Sequence, residues 1–193
     1  MSSEYVRNKV EVDTIWKQLA VLQEMAQAFG IDNIFQDNGA EILQQLVYLN
    51  MAAVPGREGN DGVDANGCEW EMKSVDISKG LGHGVTTNHH LTHGIIDKYR
   101  TVPWSVSIYD GIHLLKIYIL SPEDLEPLYR QWEEKLRDRD SLNNPKIPMW
   151  YVQKHGRLIY EEGDEYPKDP LDIIDTGPYL YLQDAYKRRN GED

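Results

Sequence analysis

Asp61, Glu71 and Lys73 fall within one short stretch, GNDGVDANGCEWEMKS, in which an acid is followed ten residues later by a second acid and two residues further on by a lysine. Side chains of these types can hydrolyse a phosphodiester. Two carboxylates supply hard oxygen donors for a divalent cation, and magnesium needs only one or two of them beside water and phosphate oxygens. A neighbouring lysine adds a fixed positive charge, which favours hydroxide and offsets the charge that develops on the scissile phosphate.

The elements that must position these groups are legible nearby. The alternating run from Cys68 to Ile77 predicts a β-strand, and alternate side chains on a strand share one face, so Glu71 and Lys73 point the same way. Asp61 precedes this strand behind a Gly-rich turn and is expected to fold back beside Glu71. Spacing alone also describes a solvated strand face carrying a surface ion pair, so the flanking residues decide between the two readings.

Six separated blocks follow in one order: IFQDNG at 34–39, PGREGND at 55–61, EWEMKS at 69–74, NHHL at 88–91, KYRTVPW at 98–104 and NNPKIP at 143–148. Together, from about Val12 to Tyr160, they resemble the PvuII family of restriction endonucleases. The resemblance implies a homodimeric, magnesium-dependent type II endonuclease that cuts double-stranded DNA, bluntly at the centre of CAGCTG. It also implies an α/β fold with a restriction-endonuclease-like core, a central mixed β-sheet flanked by helices, and an N-terminal helical dimerisation region. In this scheme residues 1–160 form one endonuclease domain, with 1–50 the helical dimerisation part and 51–160 the catalytic and recognition part.

Matching positions carry the family's roles. Asp61 and Glu71 resemble metal ligands, with the backbone carbonyl of Met72 as a further one. Lys73 resembles the catalytic lysine, and Glu58 and Tyr99 match supporting active-site positions. His89, His90, Asn143 and Asn144 fall on pairs that read bases in the major groove, Thr86 stands where the family has a serine, and Asp37 matches a minor-groove contact. The chemistry suits these roles, because imidazole can donate to guanine or accept from a cytosine amino group, and an amide can pair with adenine at N6 and N7. Asn88 departs from the family by replacing the first histidine of a triplet, and the loop 79–85 is slightly longer, so base readout there is open to change.

The same residues admit other readings. A DNA-binding protein that does not cut is opposed by the intact Asp61, Glu71 and Lys73. A repair or junction nuclease that reads shape would leave the histidine and asparagine pairs incidental. His83, His89, His90 and His93 lack the cysteine cluster or HExxH spacing of a zinc site. GLGHG at 80–84 lacks the GK[ST] ending of a phosphate loop. Asn143-Asn144-Pro145 has the plain reading of a turn.

Composition sets further bounds. The 193 residues suit one domain with a substantial core. No apolar run reaches the roughly 20 residues needed to span a bilayer, and the N-terminus lacks a signal-like apolar segment, so a cytoplasmic protein with no membrane contact is expected. The one cysteine, Cys68, reads as a small buried residue. The net charge of −12 is unusual for a DNA-binding protein. Half of it lies in residues 161–193, which carry ten acids against four bases, and a dimer cleft can be locally basic on an acidic protein. Lys73, Lys79, Lys98, Arg100 and Lys146 are candidates to line that cleft. A host would need a cognate DNA methyltransferase to protect its own sites.

Around this centre, Asp13 to Gly30 predicts a capped helix with the apolar stripe Ile15, Leu19, Leu22, Met25, Ala26 and Phe29. A second helix is expected over 40–50. Trp104 to Tyr109 and Ile112 to Leu120 predict a hairpin turned by Asp110-Gly111, both in the left-handed region. Ser121-Pro122 opens a helix with a buried stripe of Leu125, Leu128, Trp132 and Leu136. A second hairpin is expected around His155-Gly156. The acidic C-terminal extension 161–193 reads as an extended segment, partly packed through Ile173, Ile174, Tyr179, Tyr181 and Leu182, and its acids could mimic phosphate in the cleft.

Overall fold

The computed structural model describes residues 3–36, 38–54, 61–79 and 84–191. In chain order the elements are α1 (Ser3–Ala28), α2 (Gly39–Tyr48), β1 (Ala52–Ala53), β2 (Gly62–Val63), β3 (Glu69–Asp76), β4 (Val85–Thr86) and α3 (His93–Tyr99). They continue with β5 (Trp104–Asp110), β6 (His113–Leu120), α4 (Pro122–Leu136), β7 (Lys146–Ile147), α5 (Met149–His155), β8 (Arg157–Glu161) and α6 (Gly177–Asn190). Six strands form one sheet in the order β1-β2-β3-β5-β6-β8, and β4 pairs with β7 as a separate ribbon. Only β3 and β5 run parallel in the large sheet, because the chain crosses between them through α3. This is the mixed, helix-flanked sheet expected from the sequence.

The sheet's two faces have separate apolar cores, as the period of a strand requires. Trp104, Val106, Ile108, Tyr118 and Leu120 pack against Ile96 and Tyr99 of α3, Tyr129 and Trp132 of α4, and Tyr151 and Val152 of α5. Trp70, Met72, Tyr109, Ile117 and Ile119 face the other way, against Leu46 of α2 and Tyr179 of α6. No helix among the described residues is long and apolar enough to cross a membrane.

Local rules account for most of these elements. Ser121 and Asp124 form a reciprocal capping box with proline in the first turn, which fixes where α4 begins. Leu125, Trp132 and Leu136 are buried as expected, and Tyr129 joins them. At the β5–β6 hairpin Asp110 pairs with His113, so the turn residues are Gly111 and Ile112 and only Gly111 has positive φ. The turn needs one left-handed residue, where the sequence reading asked for two.

Three expectations are corrected. Asp13 does not cap α1, which runs from Ser3 and carries Asp13 in its interior, where its carboxylate pairs with Lys9 one turn away. The hairpin expected at His155-Gly156 is instead the end of helix α5, whose Tyr151 and Val152 are buried, followed by β8. Residues 161–193 are not merely extended: the proline-interrupted stretch leads into the 14-residue helix α6, with Pro178 in its first turn where the missing N–H costs nothing. Ile174 and Tyr179 of this region are buried, whereas Tyr181 is exposed.

The stripe on α1 is divided. Ala26, Leu22 and Phe29 pack on Ile34 and Leu43, but Ile15 and Met25 are each more than half exposed, as are Val12, Trp16 and Val21 outside the stripe.

Candidate active site

Asp61 reaches Glu71 by a hairpin. Asp64 makes the turn: its buried carboxylate accepts from the N–H groups of Asn66 and Cys68 and from the Trp70 indole, at 2.9, 3.0 and 2.9 Å. Gly67, at φ +86°, completes it. β2 then runs antiparallel to β3 with Gly62 opposite Trp70. Asp61, just ahead of β2, donates its N–H to the Trp70 carbonyl at 3.0 Å, and its carboxylate accepts the N–H of Met72 at 2.9 Å. The expected folding back of Asp61 therefore occurs through paired strands joined by a five-residue Asp64–Cys68 turn.

Glu71 and Lys73 lie on one face of β3, and Lys73 Nζ sits 2.5 Å from Glu71 Oε1. The Glu71 side chain is only 9 % exposed. Burial raises its pKa and Asp61 adds to the rise, against the opposing pull of Lys73 and Lys98. Burial pulls the Lys73 pKa down, but the Glu71 and Asp61 carboxylates outweigh it and hold the ammonium above its ordinary range. Lys73 is thus a cation and a hydrogen-bond donor at neutral pH. Tyr99 is buried between Trp104 and Tyr129, and its hydroxyl is pushed up first by burial and then by the Glu71 and Asp61 charges. It is a neutral phenol beside the acids.

This donor set fits a hard divalent cation. Two carboxylates meet at one place, and the desolvated Glu71 is a charge that a cation would compensate. Among the described residues no group of three or more His, Cys, Asp or Glu could enclose a metal, so a cation at this place would take its further donors from outside that set. His83, Glu58 and Asp37, like the glycines at 80 and 82 and the Lys79 side chain, lie outside the described residues.

A second group gathers at the far end of β3. The β4–β7 ribbon pairs Thr86 with Lys146, and a bridge between Leu91 and Leu142 extends it. Gly84 is required here, since a Cβ would lie 2.4 Å from the Ile147 carbonyl oxygen. Asn144, at φ +48°, donates its N–H to the Asn88 carbonyl, and its side chain accepts from the Thr87 N–H at 3.2 Å. Asn143 and Asn144 are thereby fixed to the segment that bears His89 and His90, both exposed. A groove of about 260 Å³ joins Ser74 and Asp76 of β3 to Thr86 and Lys146.

A family model described as Restriction endonuclease PvuII matches residues 7–160 of the chain. The chain belongs to that family. This PvuII-family protein is a type II restriction endonuclease, a hydrolase whose partner is DNA, and enzymes of its kind generally need a divalent metal.

One candidate for the cleft of this endonuclease is withdrawn. Arg100 is spent on α4, bidentate to Glu133 at 2.6 and 2.8 Å and bonded to Glu126 at 2.9 and 3.3 Å, so it locks α3 to α4. Asp64, which shapes the turn ahead of β3, and Gln183 of α6, which bonds the Glu69 backbone at the start of β3, are not singled out by the sequence. D-A-N-G at 64–67 is a recognisable turn signal for the first; nothing local marks the second.

Proposed function

We propose that Asp61, Glu71 and Lys73 form the cleavage centre of a magnesium-dependent homodimer that cuts CAGCTG bluntly, leaving 5′-phosphate ends. The observation that carries this is the convergence of the three side chains at β3 inside the family match. Asp61 and Glu71 would hold Mg²⁺, with the Met72 carbonyl and Glu58 completing the surroundings. When bound, the ion supplies a Lewis acid and lowers the pKa of water. Lys73, held as a cation, donates to a phosphate oxygen as charge accumulates on it during in-line attack. Tyr99 shields one side of the acids from water and keeps their field undiluted.

His89, His90, Asn143 and Asn144 read bases, with Thr86 and Asp37 contributing contacts nearby. The exposed apolar side chains of α1 support dimerisation, because Ile15, Trp16, Val21 and Met25, each more than half exposed, are stabilised by cover from a second copy. Residues 1–160 serve as the endonuclease domain and 161–193 as an extension to it. The enzyme acts in the cytoplasm beside a methyltransferase that protects host sites. Digestion of a plasmid bearing one CAGCTG site, with magnesium or with EDTA, tests the reading: blunt ends at that site with magnesium alone are expected, and cutting elsewhere or in EDTA would refute it.

A further inference from the structure

The start of the catalytic strand meets a gap in its own sheet. Cys68 and Trp70 direct their carbonyls towards β2, where Asp64 and Asp61 donate to them. Glu69 and Glu71, by alternation, face β5. Glu71 finds its ladder partner there, donating to the Pro103 carbonyl at 3.0 Å. One step back the ladder fails, because Pro103 has no N–H to offer the Glu69 carbonyl.

Gln183 of α6 fills that place. Its Oε1 accepts the Glu69 N–H at 2.9 Å, while its Nε2 lies 2.9 Å from the Glu69 carbonyl and 3.0 Å from the Thr101 carbonyl. The side chain is 3 % exposed, and Lys187, one turn on, pairs with the Glu69 carboxylate. Neighbouring contacts fasten the same helix: Thr176 accepts from Asn66 in the Asp64 turn, and Tyr179 donates to Glu123 of α4. α6 lies beyond residues 7–160, the span of the family match.

We infer that Gln183 is a positioning residue for DNA cleavage, through which the C-terminal helix sets the register of β3, and so of Glu71 and Lys73, against the α3–β5 turn that follows Tyr99. The amide acts as an inserted peptide unit bridging Glu69 and Thr101, two residues from Glu71 on one side and two from Tyr99 on the other. This rests on the assignment of Glu71 and Lys73 to the cleavage centre. It also gives the extension a supporting role in place of occluding the cleft.

The test compares full-length wild type, Gln183→Met and Lys73→Ala in single-turnover cleavage of a CAGCTG duplex at saturating enzyme, with duplex affinity measured alongside. Gln183→Met keeps the volume and removes the hydrogen bonds. Its cleavage rate is expected to fall about 10- to 100-fold with affinity unchanged, as for a small displacement of reacting groups. A wild-type rate, or a loss of affinity that accounts for the whole effect, would overturn the inference. Should Gln183→Met not fold, Gln183→Glu, which keeps the Glu69 acceptor and loses the donors, decides by the same criterion. An active Lys73→Ala would instead remove the underlying site assignment, whatever Gln183 does.

Discussion

The Asp61 carboxylate accepts the backbone N–H of Met72 at 2.9 Å, so the acid that precedes β2 is tied to the residue between Glu71 and Lys73. One oxygen of Asp61 serves structure, and the proposed assignment gives its charge to a cation. Asp61→Asn separates the two, since the amide oxygen can keep the Met72 bond while the charge is lost. Cleavage should fall by about 10²–10³, and the melting temperature should stay within about 2 °C. Calorimetry beside a cleavage assay checks both.

Lys73 and Glu71 form a largely buried pair, which makes each the other's compensation. Lys73→Met leaves Glu71 desolvated beside Asp61 and should cost about 3 kcal/mol. The double variant Glu71→Gln/Lys73→Met should cost less than Lys73→Met alone, with a coupling energy of about 1–3 kcal/mol. Urea unfolding of the four proteins gives the cycle; additive costs would mean the pair is not coupled.

Arg100 predicts a pH dependence of stability. Its guanidinium hydrogen-bonds hold the Glu133 and Glu126 carboxyls below the ordinary carboxylate range. A carboxyl lowered in the folded state stabilises the fold above its unfolded pKa, and that contribution is lost as pH falls through the folded value. Both glutamates are about 30 % exposed, so solvent screening limits the effect to about 1 kcal/mol. Arg100→Lys should therefore destabilise at pH 7 and make less difference at pH 3, as followed by thermal melts.

What the sequence made legible is what short-range rules control. The β3 alternation, the Ser121 cap and the β5–β6 hairpin are local, although its turn falls at Gly111-Ile112, and the Glu71-x-Lys73 face follows from the strand's period alone. Asp61 was placed near Glu71 without the hairpin that brings it there, because the geometry depends on Asp64 accepting three donors at once. Arg100 looked like a phosphate ligand, since its partners Glu126 and Glu133 lie on another helix. Gln183 was invisible for the same reason, with Glu69 lying 114 positions away. Helix α6 was hidden behind Pro167 and Pro170, which interrupt the chain ahead of it, while Pro178 falls in its first turn.

Asn144 connects the two segments proposed to read bases, through its bonds to Thr87 and Asn88. Asn144→Ala removes the amide proposed to read a base together with the Thr87 bond, and keeps the backbone bond to Asn88. Affinity for a CAGCTG duplex should weaken by about 1–3 kcal/mol, with affinity for a scrambled duplex little changed. Equal weakening on both duplexes, in fluorescence anisotropy, would argue that Asn144 has no part in recognition.

The central claim is that Lys73, with Asp61 and Glu71, carries out cleavage, and Lys73→Ala tests it most directly. In magnesium, the variant should still distinguish a CAGCTG duplex from a scrambled one while its single-turnover cleavage rate falls by about 10³. Cleavage by Lys73→Ala at the wild-type rate would contradict the account.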